Sequence, residues 1–149
     1  MEALYELKIL DTPKESRFDE ITKEAAEAFE VPIAVVSLVD KERQWFKSIH
    51  GLDAEQTSRD SSFCAHTILD EHVFIVQDTL LDDRFAENML VTGGPRIRFY
   101  AGCPLNTPDG YKLGALCLID SKPRYFGRLE VIKLKEFASQ VEAELLQTH

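Results

Sequence analysis

Arg98-Phe99-Tyr100-Ala101-Gly102-Cys103-Pro104-Leu105-Asn106-Thr107, then Pro108-Asp109-Gly110, then Lys112-Leu113-Gly114-Ala115-Leu116-Cys117-Leu118-Ile119-Asp120 is the stretch that decides the fold. Two runs of β-forming and apolar residues flank an Asp-Gly pair, which tolerates the positive φ angles of a tight turn, so the stretch predicts an antiparallel hairpin. The runs carry almost no charge, as expected of strands covered on both faces. Upstream, Val31-Pro32-Ile33-Ala34-Val35-Val36-Ser37-Leu38-Val39-Asp40 has the same character and predicts another central strand. Asp40-Lys41-Glu42-Arg43 turns the chain, and Gln44 to His50 resumes β-forming residues and stops at Gly51, which predicts a second antiparallel pairing. Val73-Phe74-Ile75-Val76 predicts a short strand ended by Gln77-Asp78.

Helices frame these strands. From Ser16 the apolar residues Phe18, Ile21, Ala25, Ala28 and Phe29 recur at three- and four-residue spacing, with Ser16 as N-cap and Asp19 and Glu20 in the first turn. At the other end Leu129, Ile132 or Leu134, Phe137, Ala138, Val141 and Leu145 form the stripe of a long helix over about residues 127–147. Leu4, Leu7 and Leu10 mark a short helical segment over residues 1–10, ended by Asp11-Thr12-Pro13, and Ser61-Ser62 caps a short helix through Leu69. Thr79 to Arg98, with the loop Gly93-Gly94-Pro95, has a mixed pattern and reads as a partly helical cover, the kind of segment in which binding residues concentrate. The expected fold is α+β, an antiparallel sheet with the terminal helices on one face, forming one domain over residues 1–149. The helix stripes exceed what one sheet face needs, so residues 1–10 and 127–147 are also expected to form a homodimer contact.

Composition narrows the function. The 17 basic and 26 acidic residues leave a net charge of −9, whose field repels nucleic acid and anionic lipid. The longest apolar runs fall far short of the ~20 residues that span a bilayer, and Met1-Glu2-Ala3-Leu4 does not open a signal peptide. Cys64, Cys103 and Cys117 are an odd number without CxxC spacing, which suits reduced thiols and a cytoplasmic location. The expectation is a cytoplasmic protein with no nucleic-acid, membrane or metal partner.

The chain resembles a known family in successive segments. Ile9-Leu10-Asp11-Thr12-Pro13, Pro32 to Asp40 and Gln44-Trp45-Phe46-Lys47-Ser48 look like the opening of bacterial GAF domains. Ser62-Phe63-Cys64-Ala65-His66, Arg84-Phe85-Ala86-Glu87-Asn88, Ile97 to Leu105 and Gly114 to Asp120 are similar to later signatures of the same subgroup. The resemblance implies a small-molecule pocket on the sheet face opposite the helices. It also implies a place ahead of a histidine kinase or diguanylate cyclase, in cis or in trans, or standing alone.

The residues set out the ligand chemistry. Arg84, Arg96 and Arg98 surround the glycine loop in an acidic protein, and guanidinium groups hold carboxylates or phosphates bidentately, so a small anionic ligand is one reading. Pairing with Asp78, Asp82, Asp83 or Glu87 is the other. Tyr100 and Asp120 are candidates for orienting a ligand. Cys64, at a helix start where the dipole favours a thiolate, is a candidate reactive thiol, and Cys103 and Cys117 read as buried thiols. Bilin-binding members attach chromophore through a cysteine in the cover, which has none here, and the Asn-Lys-x-x-x-Phe signature of the cyclic-nucleotide-binding members is absent, so the cofactor stays unassigned. The expectation is a non-catalytic sensor. The alternative is an enzyme using Cys64 like the free methionine-(R)-sulfoxide reductases, which share this fold; the glycine-flanked cysteine of those enzymes and a resolving thiol in the cover are both missing.

Overall fold

The computed structural model describes residues 15–39, 43–51, 56–58, 73–81, 97–107, 110 and 112–146. The expected helices over residues 1–10 and 61–69, and most of the cover between Thr79 and Arg98, lie outside them. Helix α1 spans Ser16–Phe29, followed by β1 (Ile33–Val39), β2 (Arg43–His50), β3 (Gln56–Ser58), β4 (Phe74–Val76), β5 (Phe99–Asn106), β6 (Lys112–Asp120) and helix α2 (Arg128–Leu146). One 3-10 turn, Thr79–Leu81, follows β4.

The strands form one sheet in the order β3-β2-β1-β6-β5-β4, with every pairing antiparallel. Two meanders meet at its centre, where Ile33 pairs with Ile119 and Leu38 with Gly114. The Asp-Gly hairpin is present, with Phe99 opposite Asp120, Leu105 opposite Gly114, and Gly110 at φ +91°, where a Cβ would be strained. Strand β3 is an addition. Its three residues follow a polar stretch and carry too short a pattern to be read as a strand.

The period of two sorts the side chains into two cores. Ala34, Val36 and Leu38 of β1, Phe99, Ala101, Cys103 and Leu105 of β5, and Leu116 and Leu118 of β6 meet Phe18, Ile21 and Ala25 of α1 and Leu134, Ala138, Val141 and Leu145 of α2. The opposite face gathers Val35, Phe46, Phe74, Val76, Ile97, Tyr100, Ala115 and Cys117. A strand with both faces buried has no room for charge, which is why β1, β5 and β6 read as continuous apolar runs.

One expectation about the helices is corrected. Ser16 is the first residue of α1 rather than its cap; Glu15 takes the cap position with extended backbone and no side-chain capping bond, because its carboxylate is drawn to Lys47 and Arg17 instead. In α2, Leu134, Val141 and Leu145 are fully buried within the chain. These three residues of the stripe therefore pack within the chain, and among the described residues of this helix the large apolar side chains left exposed are Leu129 and Ile132.

Lys47 depends on an irregularity. Val36 pairs with Ser48 and Ser37 with Phe46, so Lys47 is the extra residue of a bulge in β2. The bulge turns Lys47 to the helix side, where its side chain is fully buried, 2.6 Å from Glu15 and 5.5 Å from the centre of the Phe18 ring. Arg17 extends the network, contacting Glu15 at 3.1 Å and the Glu144 carboxylate at 3.2 Å, which ties the start of α1 to the end of α2.

Candidate functional site

Tyr100 and Cys117 place the candidate site on the sheet face opposite α1 and α2. Tyr100 lies on β5 opposite Ile119, and Cys117 on β6 opposite Gly102, so the two side chains are diagonal neighbours. The Tyr100 hydroxyl and the Cys117 thiol are 3.1 Å apart and both residues are fully buried. The Phe74 ring stands 6.1 Å from the Tyr100 ring. Phe46, Val35, Val76, Ile97 and Ala115 complete an apolar wall whose polar atoms include the hydroxyl, the thiol and the buried Ser37. Such a wall suits the flat or apolar part of a small molecule, with few polar atoms to orient it.

Arg98 stands at the edge of this wall, immediately before β5. Its backbone is fixed on both sides: its N–H donates to the Asp120 carbonyl and its carbonyl accepts from the Thr79 N–H, each at 2.9 Å. The Thr79 hydroxyl donates to the Ile97 carbonyl at 2.6 Å, so the 3-10 turn is pinned to the start of β5. The half-buried Arg98 side chain donates through Nη1 to the Ile97 carbonyl at 3.2 Å.

Asp120 goes the other way. It pairs with Phe99 and shares the helix side with Leu118, and its carboxylate meets Arg124 Nε at 3.5 Å. Arg124 Nη1 in turn donates to the Phe29 and Glu30 carbonyls at 2.9 and 3.0 Å. These carbonyls end α1, where Glu30 is left-handed at φ 55°, so Asp120 orients an arginine that caps a helix C-terminus. The structure thus gathers Arg98, Tyr100 and Asp120 at one end of the hairpin but divides their side chains between the two faces. Cys64, Arg84 and Arg96 lie outside the described residues.

Cys103 and Cys117 are buried thiols on opposite faces of the sheet. Burial, reinforced by Glu142, pushes the Cys103 thiol up to about 11, against a weaker opposing pull from Lys135. It is protonated at neutral pH and a poor nucleophile. The Tyr100–Cys117 contact was not anticipated from the sequence, although the register set by Asp109-Gly110 carries that signal. Among the described residues no three His, Cys, Asp or Glu side chains converge as metal ligands, and no helix is long and apolar enough to cross a membrane.

The family model described as GAF domain matches residues 13–145. A cyclic di-GMP phosphodiesterase of Pseudomonas aeruginosa is 46% identical over 141 residues, which are 94% of this chain and 24% of that protein. The chain therefore spans about a quarter of that relative's length. Among solved structures, the GAF domain of an Acinetobacter phosphoenolpyruvate-protein phosphotransferase superposes with a TM-score of 0.71 at 15% identity, covering 99% of this chain and 93% of that one. A type II free methionine-R-sulfoxide reductase of Thermoplasma acidophilum gives 0.73 at 11% identity, covering 89% and 92%. Likeness at such identities shows the fold alone. It lends no support to the reductase alternative built on Cys64. The expectation of a non-enzyme does not stand, however, because the relative at 46% identity is named a cyclic di-GMP phosphodiesterase; an enzymatic role is open to a protein carrying this domain. The relationship points to signalling.

Proposed function

The chain belongs to the GAF domain family, and from that premise we propose that it is a ligand-responsive regulatory domain serving cyclic di-GMP hydrolysis. The observation that carries this reading is the 46% identity to a cyclic di-GMP phosphodiesterase across nearly the whole of this chain. In this reading the output is a phosphodiesterase, where the family resemblance implies a kinase or cyclase.

The ligand in this reading sits against Tyr100 and Cys117, with its charge toward Arg98 and, as the sequence suggests, Arg84 and Arg96. A small anion with an apolar part suits a wall of Phe46, Phe74 and Tyr100 that has an arginine at its edge. Transmission is short. Tyr100 lies on β5 between Phe99 and Ala101, whose side chains belong to the core that α2 shares, so a shift of β5 reaches α2 through one layer of packed side chains.

A thermal-shift screen of carboxylates and phosphates, paired with native mass spectrometry of protein taken directly from cells, tests the ligand. A true ligand at about 100 times its Kd stabilises the folded state by roughly 2.7 kcal/mol. Arg98→Ala should abolish that shift and leave the unliganded melting temperature nearly unchanged. Loss of stability in Arg98→Ala, with no anion stabilising the wild type, overturns the site.

A further inference from the structure

We propose that the cleft between the end of α1 and the start of α2 is a second ligand site, on the face opposite Tyr100, and that it takes a small amphipathic carboxylate. The cleft has a volume of about 520 Å³, within the ~300–1,000 Å³ range of small-molecule sites. Its inner wall is aromatic. Phe126 stands between Phe29 and Phe99, each pair of ring centres 5.6 Å apart, and Val31 adds an aliphatic contact.

Its mouth is apolar as well. Tyr125 and Leu129 line the opening and are 80% and 79% exposed, although most large apolar side chains of the described residues are buried. An aromatic ring and a leucine left in water at the entrance of an aromatic cleft are surface that an apolar ligand would cover.

The charge at the rim selects the head group. Lys133 Nζ lies 5.7 Å from the centre of the Phe29 ring, and among the described residues no carboxylate is within ion-pair distance of it. Arg124 is matched by Asp120 at 3.5 Å and committed through Nη1 to the end of α1, and Glu130 adds one negative charge to the lining. An ammonium with no carboxylate beside it among the described residues, near the positive end of a 19-residue helix, favours a single carboxylate over an ammonium or a dianion.

The test is a titration of the ¹⁵N-labelled protein with sodium decanoate, decylamine as control, followed by amide chemical shifts. Decanoate should shift residues 28–31 and 124–133, decylamine should bind more weakly, and Lys133→Glu should weaken decanoate about three- to tenfold, as expected for reversing one exposed charge. Leu129→Asp, which changes another exposed residue, should weaken it further. Shifts confined to Tyr100, Cys117 and their neighbours, equal binding of decylamine, unchanged affinity in Lys133→Glu, or no shifts at millimolar decanoate each overturn the proposal.

Discussion

Removing Glu15 should destabilise the protein far more than removing Lys47, though each substitution deletes the same ion pair. In Glu15→Ala the Lys47 ammonium stays in the β2 bulge with its side chain 0% exposed and no carboxylate at 2.6 Å. Removing one partner of a fully buried pair costs about 3–5 kcal/mol. Glu15 is 37% exposed, so water screens this pair, and the Phe18 ring 5.5 Å away holds part of the charge, which reduces the expected loss to about 1.5–3 kcal/mol. In Lys47→Met nothing charged is left buried, the methylene stem keeps its packing, and Glu15 retains Arg17 at 3.1 Å, so the loss should be about 0–1 kcal/mol. The double variant should resemble Lys47→Met. Lys47 and Arg17 hold the Glu15 carboxyl below its usual 4.5, a contribution complete above that value and lost as the pH falls through it. Glu15→Gln should therefore flatten the acid limb of the stability profile. Urea unfolding of the wild type and the four variants at pH 7 and at pH 3–5 measures this. If Lys47→Met costs as much as Glu15→Ala, or the double variant costs the sum, the ammonium is not buried as described.

Two further outcomes follow from the sheet. A Cβ on Gly114 would lie 1.9 Å from the Ser37 carbonyl oxygen and 2.8 Å from Leu38 Cα, forcing β1 and β6 apart at the centre of the sheet, so Gly114→Ala should cost at least about 3 kcal/mol; an unchanged urea midpoint contradicts the register. The Cys103 thiol, neutral in the folded protein up to about 11, should resist alkylation near pH 8, and as the pH rises from its ordinary 9.0 the folded state should lose stability that Cys103→Ala does not lose. Rapid labelling of Cys103 at pH 8 would contradict its place under α2.

The sheet was legible because its strands are either buried on both faces or joined by a turn with its own chemistry. Asp109-Gly110 between two apolar runs admits few alternatives, and the stripe of Leu134, Ala138, Val141 and Leu145 matches one face of one helix. What escaped depends on residues distant in sequence. Alternation cannot show that Lys47 is a bulge residue, because the bulge is defined by the pairing of Val36 and Ser37 with β2. Nor can local pattern show that Asp120 turns to Arg124 and the end of α1, while its neighbour Ile119 packs on the Tyr100 side of the same strand. Tyr100 was legible as a candidate and its partner Cys117 was not, since their meeting depends on the register of two strands.

The most direct test of the account replaces the matching segment of the Pseudomonas aeruginosa phosphodiesterase with this chain and measures the rate of cyclic di-GMP hydrolysis. The account predicts that the chimaera hydrolyses cyclic di-GMP and that Arg98→Ala and Tyr100→Phe within the grafted domain change its rate while circular dichroism stays the same. A rate equal to that of the phosphodiesterase lacking the segment, and unmoved by either substitution, contradicts it.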